Sequence, residues 1–112
     1  MPYIEEKHRD RVDSCINELV LCLKTSLINA QNVNVFSIDK ITNQDMLELC
    51  GNLNYTITRI CAGLMGETSY SKIAIITGVL ENVKQEFYRR VASSYEDKKI
   101  VQNGDVREYK KL

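Results

Sequence analysis

Residues 46–64 have the sequence MLELCGNLNYTITRICAGL, and this stretch decides the fold class. Its apolar positions are spaced by 4, 3, 4, 3 and 4 residues, so they lie along one face of an α-helix. These positions are Met46, Cys50, Leu53, Ile57, Ile60 and Leu64. Thr42 and Asp45 predict a capping box where the helix begins, and Gly66 predicts where it ends.

Two further segments have helical periodicity, one over about residues 6–29 and the other over about residues 69–90 or beyond. The apolar face of the first consists of Val12, Ile16, Leu19, Leu23 and Leu27. That of the second consists of Ile73, Ile76, Leu80, Val83, Phe87 and Val91. Ile75 and Val79 widen the second face, so we expect this helix to be buried on more than one side.

The segments outside these helices are predicted in less detail. Residues 93–97 predict a turn, and a short helix over about residues 96–102 should end at Asn103-Gly104. Residues 105–112 predict a charged tail or an arm that packs on a partner chain, whereas residues 33–41 are compatible with either a strand or a docked loop. We therefore expect an all-α domain over residues 1–104, with three main helices and a short C-terminal helix packed as a bundle in a homo-oligomer.

The composition excludes several classes of protein. The chain has 112 residues, of which 44% are hydrophobic, and it carries 15 basic and 15 acidic residues. This composition is typical of a folded domain and lacks the basic excess of a general nucleic-acid binder. The chain begins without a signal-like segment and has no apolar run of the ~20 residues that a membrane span needs. We therefore expect a cytoplasmic protein, in the host cytoplasm if it is encoded by a phage.

Cysteine and histidine indicate no catalytic or metal site. The four cysteines, which form no Cys-x-x-Cys pair, are Cys15, Cys22, Cys50 and Cys61. We expect them to be reduced thiols that pack as small core residues. The single histidine, His8, lies in a charged run, and Glu81 and Glu86 lie about 140° apart on a helix, which disfavours a shared magnesium ion. We expect no catalytic residue, no metal and no cofactor.

A group of arginine, tyrosine and asparagine residues is the candidate ligand-binding site. Its members are Asn54, Tyr55, Arg59, Tyr88, Arg89, Arg90 and Tyr95. A guanidinium group matches the geometry of phosphate or carboxylate, and a tyrosine ring offers a stacking surface and a hydroxyl group. Such a group suits an anionic aromatic ligand such as a nucleotide. The alternative is a helix–helix interface in which the stems of the same side chains pack.

Two strings of this sequence are similar to those of a known set of proteins. They are Asn-Tyr-x-Ile-Thr-Arg at residues 54–59 and Glu-Phe-Tyr-Arg-Arg at residues 86–90. Together with residues 95–106, they resemble an uncharacterised family of short proteins from bacteriophages, prophages and gut-type bacteria. The resemblance covers about residues 50–106, and Ser94 stands where the family pattern has proline, so a looser turn is expected there. It implies a phage or mobile-element origin and no particular activity.

Three hypotheses about function follow. The first is a non-catalytic, self-associating helical protein that works by binding, because three helices of this size cannot hide all their apolar faces. The second is a nucleotide-binding sponge that sequesters a host signalling nucleotide on the arginine and tyrosine residues. The third and weakest is a metal-dependent nucleotide hydrolase. The protein is not expected to bind membranes.

Overall fold

The computed structural model describes residues 3–27 and 41–112, which are mainly helical. The elements are α1 (Glu6–Thr25), α2 (Asn43–Met65), α3 (Tyr70–Phe87), a π-helical segment (Tyr88–Ala92), α4 (Ser93–Asn103) and a 3-10 turn (Tyr109–Lys111). No strand occurs in these two ranges, and the expected all-α fold is confirmed. The prediction of a strand or a docked loop at residues 33–41 lies outside the described residues, apart from Ile41. No helix in the described part of the chain is long and apolar enough to cross a membrane.

The chain divides into two compact units. The N-terminal unit, Tyr3–Thr68, contains α1 and α2. The C-terminal unit, which includes Ser69–Leu112, contains α3, the π-helical segment, α4 and the 3-10 turn.

The start and end of α2 follow the sequence signals. Thr42 Oγ1 accepts a hydrogen bond from the backbone N of Asp45 at 3.0 Å, and Asp45 Oδ2 accepts one from the backbone N of Thr42 at 3.0 Å. The predicted capping box is therefore confirmed. Gly66 follows the helix with a φ of 64°, a conformation that glycine adopts without steric cost. The helix α3 begins similarly, because Ser69 Oγ accepts from the backbone N of Lys72 at 3.2 Å.

The helices α1 and α2 form an antiparallel hairpin. Where the end of α1 meets the start of α2, Leu27 and Leu49 are 2% and 8% exposed and form the buried core of the described residues. Beside them, Asn52 Nδ2 donates a hydrogen bond to Ser26 Oγ at 2.9 Å. These contacts place the end of α1 against the start of α2, as in an antiparallel pair of helices.

The helix α1 ends at Thr25, so its predicted extension to residue 29 is wrong. Thr25 Oγ1 donates to the carbonyl of Cys22 at 2.9 Å, and Ser26 Oγ donates to the carbonyl of Leu23 at 2.6 Å. Hydroxyl side chains that bond to nearby carbonyls offer the backbone an alternative to helical bonding. The apolar periodicity continues to Leu27 because that side chain packs against α2 after the helix has ended.

The prediction that the four cysteines are core residues is wrong for the chain by itself. Cys15, Cys22 and Cys50 are exposed, and Cys61 is partly buried. Among the described residues of the hairpin only Leu27 and Leu49 are buried, so the cysteines along α1 and α2 remain at least partly accessible.

The predicted turn at residues 93–97 is wrong, because the chain remains helical from residue 70 to residue 103. The backbone angles at Tyr88, Ala92 and Ser93 are all right-handed helical. No proline or glycine interrupts the segment, and Ser94 keeps its hydroxyl within the helix by donating to the carbonyl of Arg90 at 3.3 Å. The helix ends at Asn103, where the sequence predicted it, and Gly104 has a φ of 88°.

The π-helical segment changes which side chains share a face of this long helix. A π turn closes its hydrogen bond one residue later than an α turn, so it inserts about one residue, or roughly 100° of rotation. Tyr88 and Glu96 show the effect, because eight α-helical residues would separate them by about 80°. Their hydroxyl and carboxylate oxygens instead lie 3.4 Å apart. By the same rotation, Val91 and Tyr95 continue the apolar row that leads to Phe87.

The two glycines Gly78 and Gly104 predict opposite effects of an alanine substitution. A Cβ atom at Gly78 meets nothing within 4 Å, so Gly78→Ala should stabilise the helix by about 0.5–1 kcal/mol. At Gly104 the φ of 88° is unfavourable for alanine, so Gly104→Ala should lower the free energy of unfolding. Urea unfolding followed by circular dichroism measures both changes, and a destabilised Gly78→Ala variant would contradict the open environment of that position.

Candidate functional site

The seven candidate ligand-binding residues are divided between the two compact units. Asn54, Tyr55 and Arg59 lie on α2 in the N-terminal unit. In the C-terminal unit, the π-helical segment carries Tyr88, Arg89 and Arg90, and α4 carries Tyr95. Two local environments therefore have to be considered.

In the N-terminal unit, Tyr55 and Arg59 line an open groove between α1 and α2. The volume of the groove is about 340 Å³, and Leu19, Thr56 and Ile60 complete its lining. The Tyr55 side chain is 65% exposed, and the Arg59 guanidinium makes no ion pair or hydrogen bond within the described residues. An available guanidinium beside an accessible aromatic ring and an apolar floor can bind an anion that carries a flat apolar group.

Asn54 does not line this groove. Its backbone carbonyl accepts a hydrogen bond from Thr58 Oγ1 at 2.8 Å, and its side-chain oxygen lies 3.4 Å from the same hydroxyl. Asn54 and Thr58 thus interact along the surface of α2. The sequence did not predict the other three groove residues, Leu19, Thr56 and Ile60, because it did not define which face of α2 meets α1.

In the C-terminal unit, three of the four candidate side chains interact with neighbours on the same helix. Arg89 forms a two-point ion pair with Glu86, with distances of 2.7 Å from Nη2 to Oε1 and 3.3 Å from Nε to Oε2. The Tyr88 hydroxyl contacts the carboxylate of Glu96. Lys99 Nζ lies 5.4 Å from the centre of the Tyr95 ring, within cation–π range.

Arg90 differs from these three residues. Its guanidinium makes no ion pair or hydrogen bond within residues 3–27 and 41–112, although its carbonyl accepts from Ser94. It lies in the middle of the π-helical segment, an element that is rare and occurs often at functional sites. The residue types at positions 88–92 are not specific to a π-helix, so the sequence could not predict this segment.

An open groove of about 720 Å³ lies along the end of α3 and the π-helical segment. Its lining includes Glu81, Gln85, Phe87 and Arg89, which combine charges of both signs with an aromatic ring. Hydrogen bonding from Gln85, together with the charge of Lys84, lowers the pKa of Glu81 below its usual value. The contribution of these contacts to helix stability is therefore present above the usual pKa and is lost as the pH falls through the lowered value. Since the Glu81 side chain is exposed, this contribution is small.

The described part of the chain contains no group of three or more His, Cys, Asp or Glu side chains that could hold a metal ion. Its acidic side chains instead take part in contacts along one helix, as in the ion pair of Lys84 with Glu81 at 3.5 Å.

The sequence as a whole matches a family model described as Domain of unknown function (DUF6899), over residues 1–106. The chain belongs to this family. The match confirms the resemblance to an uncharacterised family and extends it from residues 50–106 to the first helix as well. Searches among curated proteins and among solved structures found no match. The family description names no activity.

Proposed function

We propose that this protein is a small, non-catalytic helical protein that works by self-association. The observation that carries the proposal is the half-exposed apolar face of the α1–α2 hairpin. Ile16 on α1 is 49% exposed, and Leu53 and Ile57 on α2 are 43% and 40% exposed. Two helices can cover only one side of each other's apolar rows, whereas two such hairpins can form a four-helix bundle with a closed core.

The amount of exposed apolar surface is sufficient for a stable assembly. Eight side chains make up the rows of the hairpin that remain accessible: Val12, Ile16, Leu19, Met46, Leu53, Ile57, Ile60 and Leu64. Burying the exposed half of each contributes about 1 kcal/mol, so two copies together gain on the order of 16 kcal/mol. The loss of translational and rotational freedom costs about 4–15 kcal/mol. The balance therefore favours association.

The cysteines support the same proposal. Cysteine is among the residue types most often buried in folded proteins. Cys50 belongs to the apolar row of α2, and Cys61 lies beside that row. In the single chain, however, Cys50 is exposed and Cys61 is only partly buried. A second hairpin on this face would bury both.

Ile57→Lys tests the role of the hairpin face. We expect this variant to lower the mass of the assembly, because a charge placed in a buried apolar row costs several kcal/mol. Sedimentation velocity across a range of protein concentrations measures the change. Ala62→Lys is the matched control, since Ala62 lies about 140° around α2 from Ile57 and should leave the mass unaltered.

Circular dichroism of both variants must show the helical content of the original chain, so that a fall in mass is not caused by unfolding. An original chain that remains monomeric at all concentrations would contradict the proposal. Equal effects of Ile57→Lys and Ala62→Lys would show that the apolar face is not the contact.

The groove at Arg59 supports a second candidate function, the binding of an anionic aromatic ligand such as a nucleotide. A guanidinium group without a partner in the described residues lies beside the exposed ring of Tyr55 and an apolar floor formed by Leu19 and Ile60. A sponge that sequesters a signalling nucleotide, encoded by a phage or mobile element, would use a groove of this kind and needs no catalytic group.

Thermal-shift measurements with cyclic and linear nucleotides test this second candidate. A nucleotide present at 100 times its Kd should stabilise the protein by about 2.7 kcal/mol, and Arg59→Ala should remove the shift. Arg90→Ala is the control, because Arg90 has an available guanidinium but lies in the other unit. The absence of a shift with every nucleotide, or a shift that persists in Arg59→Ala, would exclude the groove as the binding site.

A further inference from the structure

The long helix of the C-terminal unit, residues 70–103, has an apolar row that no other element of its unit covers. The unit contains only one other described element, the short turn Tyr109–Lys111. The row consists of Ile73, Ile76, Leu80, Val83, Phe87, Val91 and Tyr95. Leu80 is 42% exposed and Phe87 is 66% exposed. Most of the stability of a helix in a protein comes from the packing of its apolar face, so an apolar row of this length is expected to have a partner.

The charges beside this row are arranged symmetrically about residue 90. Lys84 and Glu96 lie six positions on either side of it, and Glu81 and Lys99 lie nine positions on either side. Each of the two pairs joins a basic residue with an acidic one. With the rotation that the π-helical segment introduces, Glu81, Lys84 and Glu96 lie about 120°, 60° and 80° from Phe87 on one flank of the row. Lys99 lies about 20° from Phe87 in the same direction, at the edge of the row.

The apolar row has nearly the same centre of symmetry. Phe87 and Val91 lie two positions on either side of residue 89, and Val83 and Tyr95 lie six positions on either side. The π-helical segment Tyr88–Ala92 contains both centres. In two antiparallel helices related by a two-fold axis, a residue on one side of the axis faces the residue at the same distance on the other side, and equal flanks meet.

We propose that two copies of this protein pair their long helices in antiparallel orientation, about a two-fold axis at the π-helical segment. Lys84 of one copy then faces Glu96 of the other, Glu81 faces Lys99, and the aromatic rings of Phe87 and Tyr95 pack against Val91 and Val83. This pairing rests on the proposed self-association and names a contact for it in the C-terminal unit.

The antiparallel arrangement is preferable to a parallel one because it brings the charged flank of one helix against the charged flank of the other, whereas a parallel pair related by a two-fold axis brings each flank against the opposite flank of the partner. The pairs Lys84–Glu96 and Glu81–Lys99 therefore form only in the antiparallel arrangement. The ion pair that Lys84 now makes within its own helix is also weak enough to be replaced by a contact with the second copy. The Lys84–Glu81 ion pair is exposed, with side-chain exposures of 75% and 51%, and such pairs contribute little to stability.

Charge reversal in the full-length chain tests the pairing. Lys84→Glu and Glu96→Lys each turn two attractive contacts of the dimer into repulsive ones, so each variant should weaken self-association about tenfold at low ionic strength. A mixture of the two variants should recover the original affinity, because every mixed pair again joins opposite charges. Sedimentation equilibrium of the separate variants and of the mixture measures both effects.

Lys98→Glu is the matched control, because it changes the net charge equally but lies on the opposite flank of the row. Glutamate and lysine have similar helix propensities, so all three variants should remain folded, which circular dichroism checks. Unchanged association of Lys84→Glu and Glu96→Lys, or failure of the mixture to recover affinity, would overturn the antiparallel pairing. If the original chain associates in that experiment, the self-association proposal itself survives. A monomeric original chain would overturn both.

Discussion

A helix that is apolar along one side has to bury that side against another helix, and this constraint governs the whole structure. Among its described residues, the α1–α2 hairpin meets it only where the end of α1 lies against the start of α2, at Leu27 and Leu49. The rest of both rows remains accessible, as does the row of the long helix. Hydrophobic burial is the main favourable contribution to folding, so a chain with so little of it inside its own units is expected to obtain the remainder from other copies.

The π-helical segment meets the same constraint by another means. An uninterrupted α-helix would rotate Val91 and Tyr95 progressively away from the row that ends at Phe87. The inserted residue returns them to it, and the contact between Tyr88 and Glu96 shows the rotation directly. The cost of an irregular turn is offset by a longer apolar row, provided that something covers the row. The symmetric charges around residue 90 favour the same helix of a second copy of the chain as the helix that covers the row.

Arginine and tyrosine have different roles in the two units. In the C-terminal unit, Arg89, Tyr88 and Tyr95 interact with Glu86, Glu96 and Lys99 along one helix. These contacts favour the interpretation of this part of the candidate site as a helix surface. In the N-terminal unit, Arg59 and Tyr55 face a groove and have no such neighbours in the described residues, which makes this the better candidate for a ligand. Belonging to a family of unknown function does not decide between these roles.

The sequence by itself determined the helical class, the capping box at Thr42 and the ends of helices at Gly66 and Gly104, because periodicity and capping depend on residues close together in the chain. It did not reveal that α1 ends at Thr25, that the helix continues through Ser93 or that a π-helical turn lies between Phe87 and Ser93. Only the tertiary structure decided these points and the groove at Arg59. They depend on which helix faces meet. They also depend on backbone hydrogen bonding, because the α, π and turn patterns differ little in free energy.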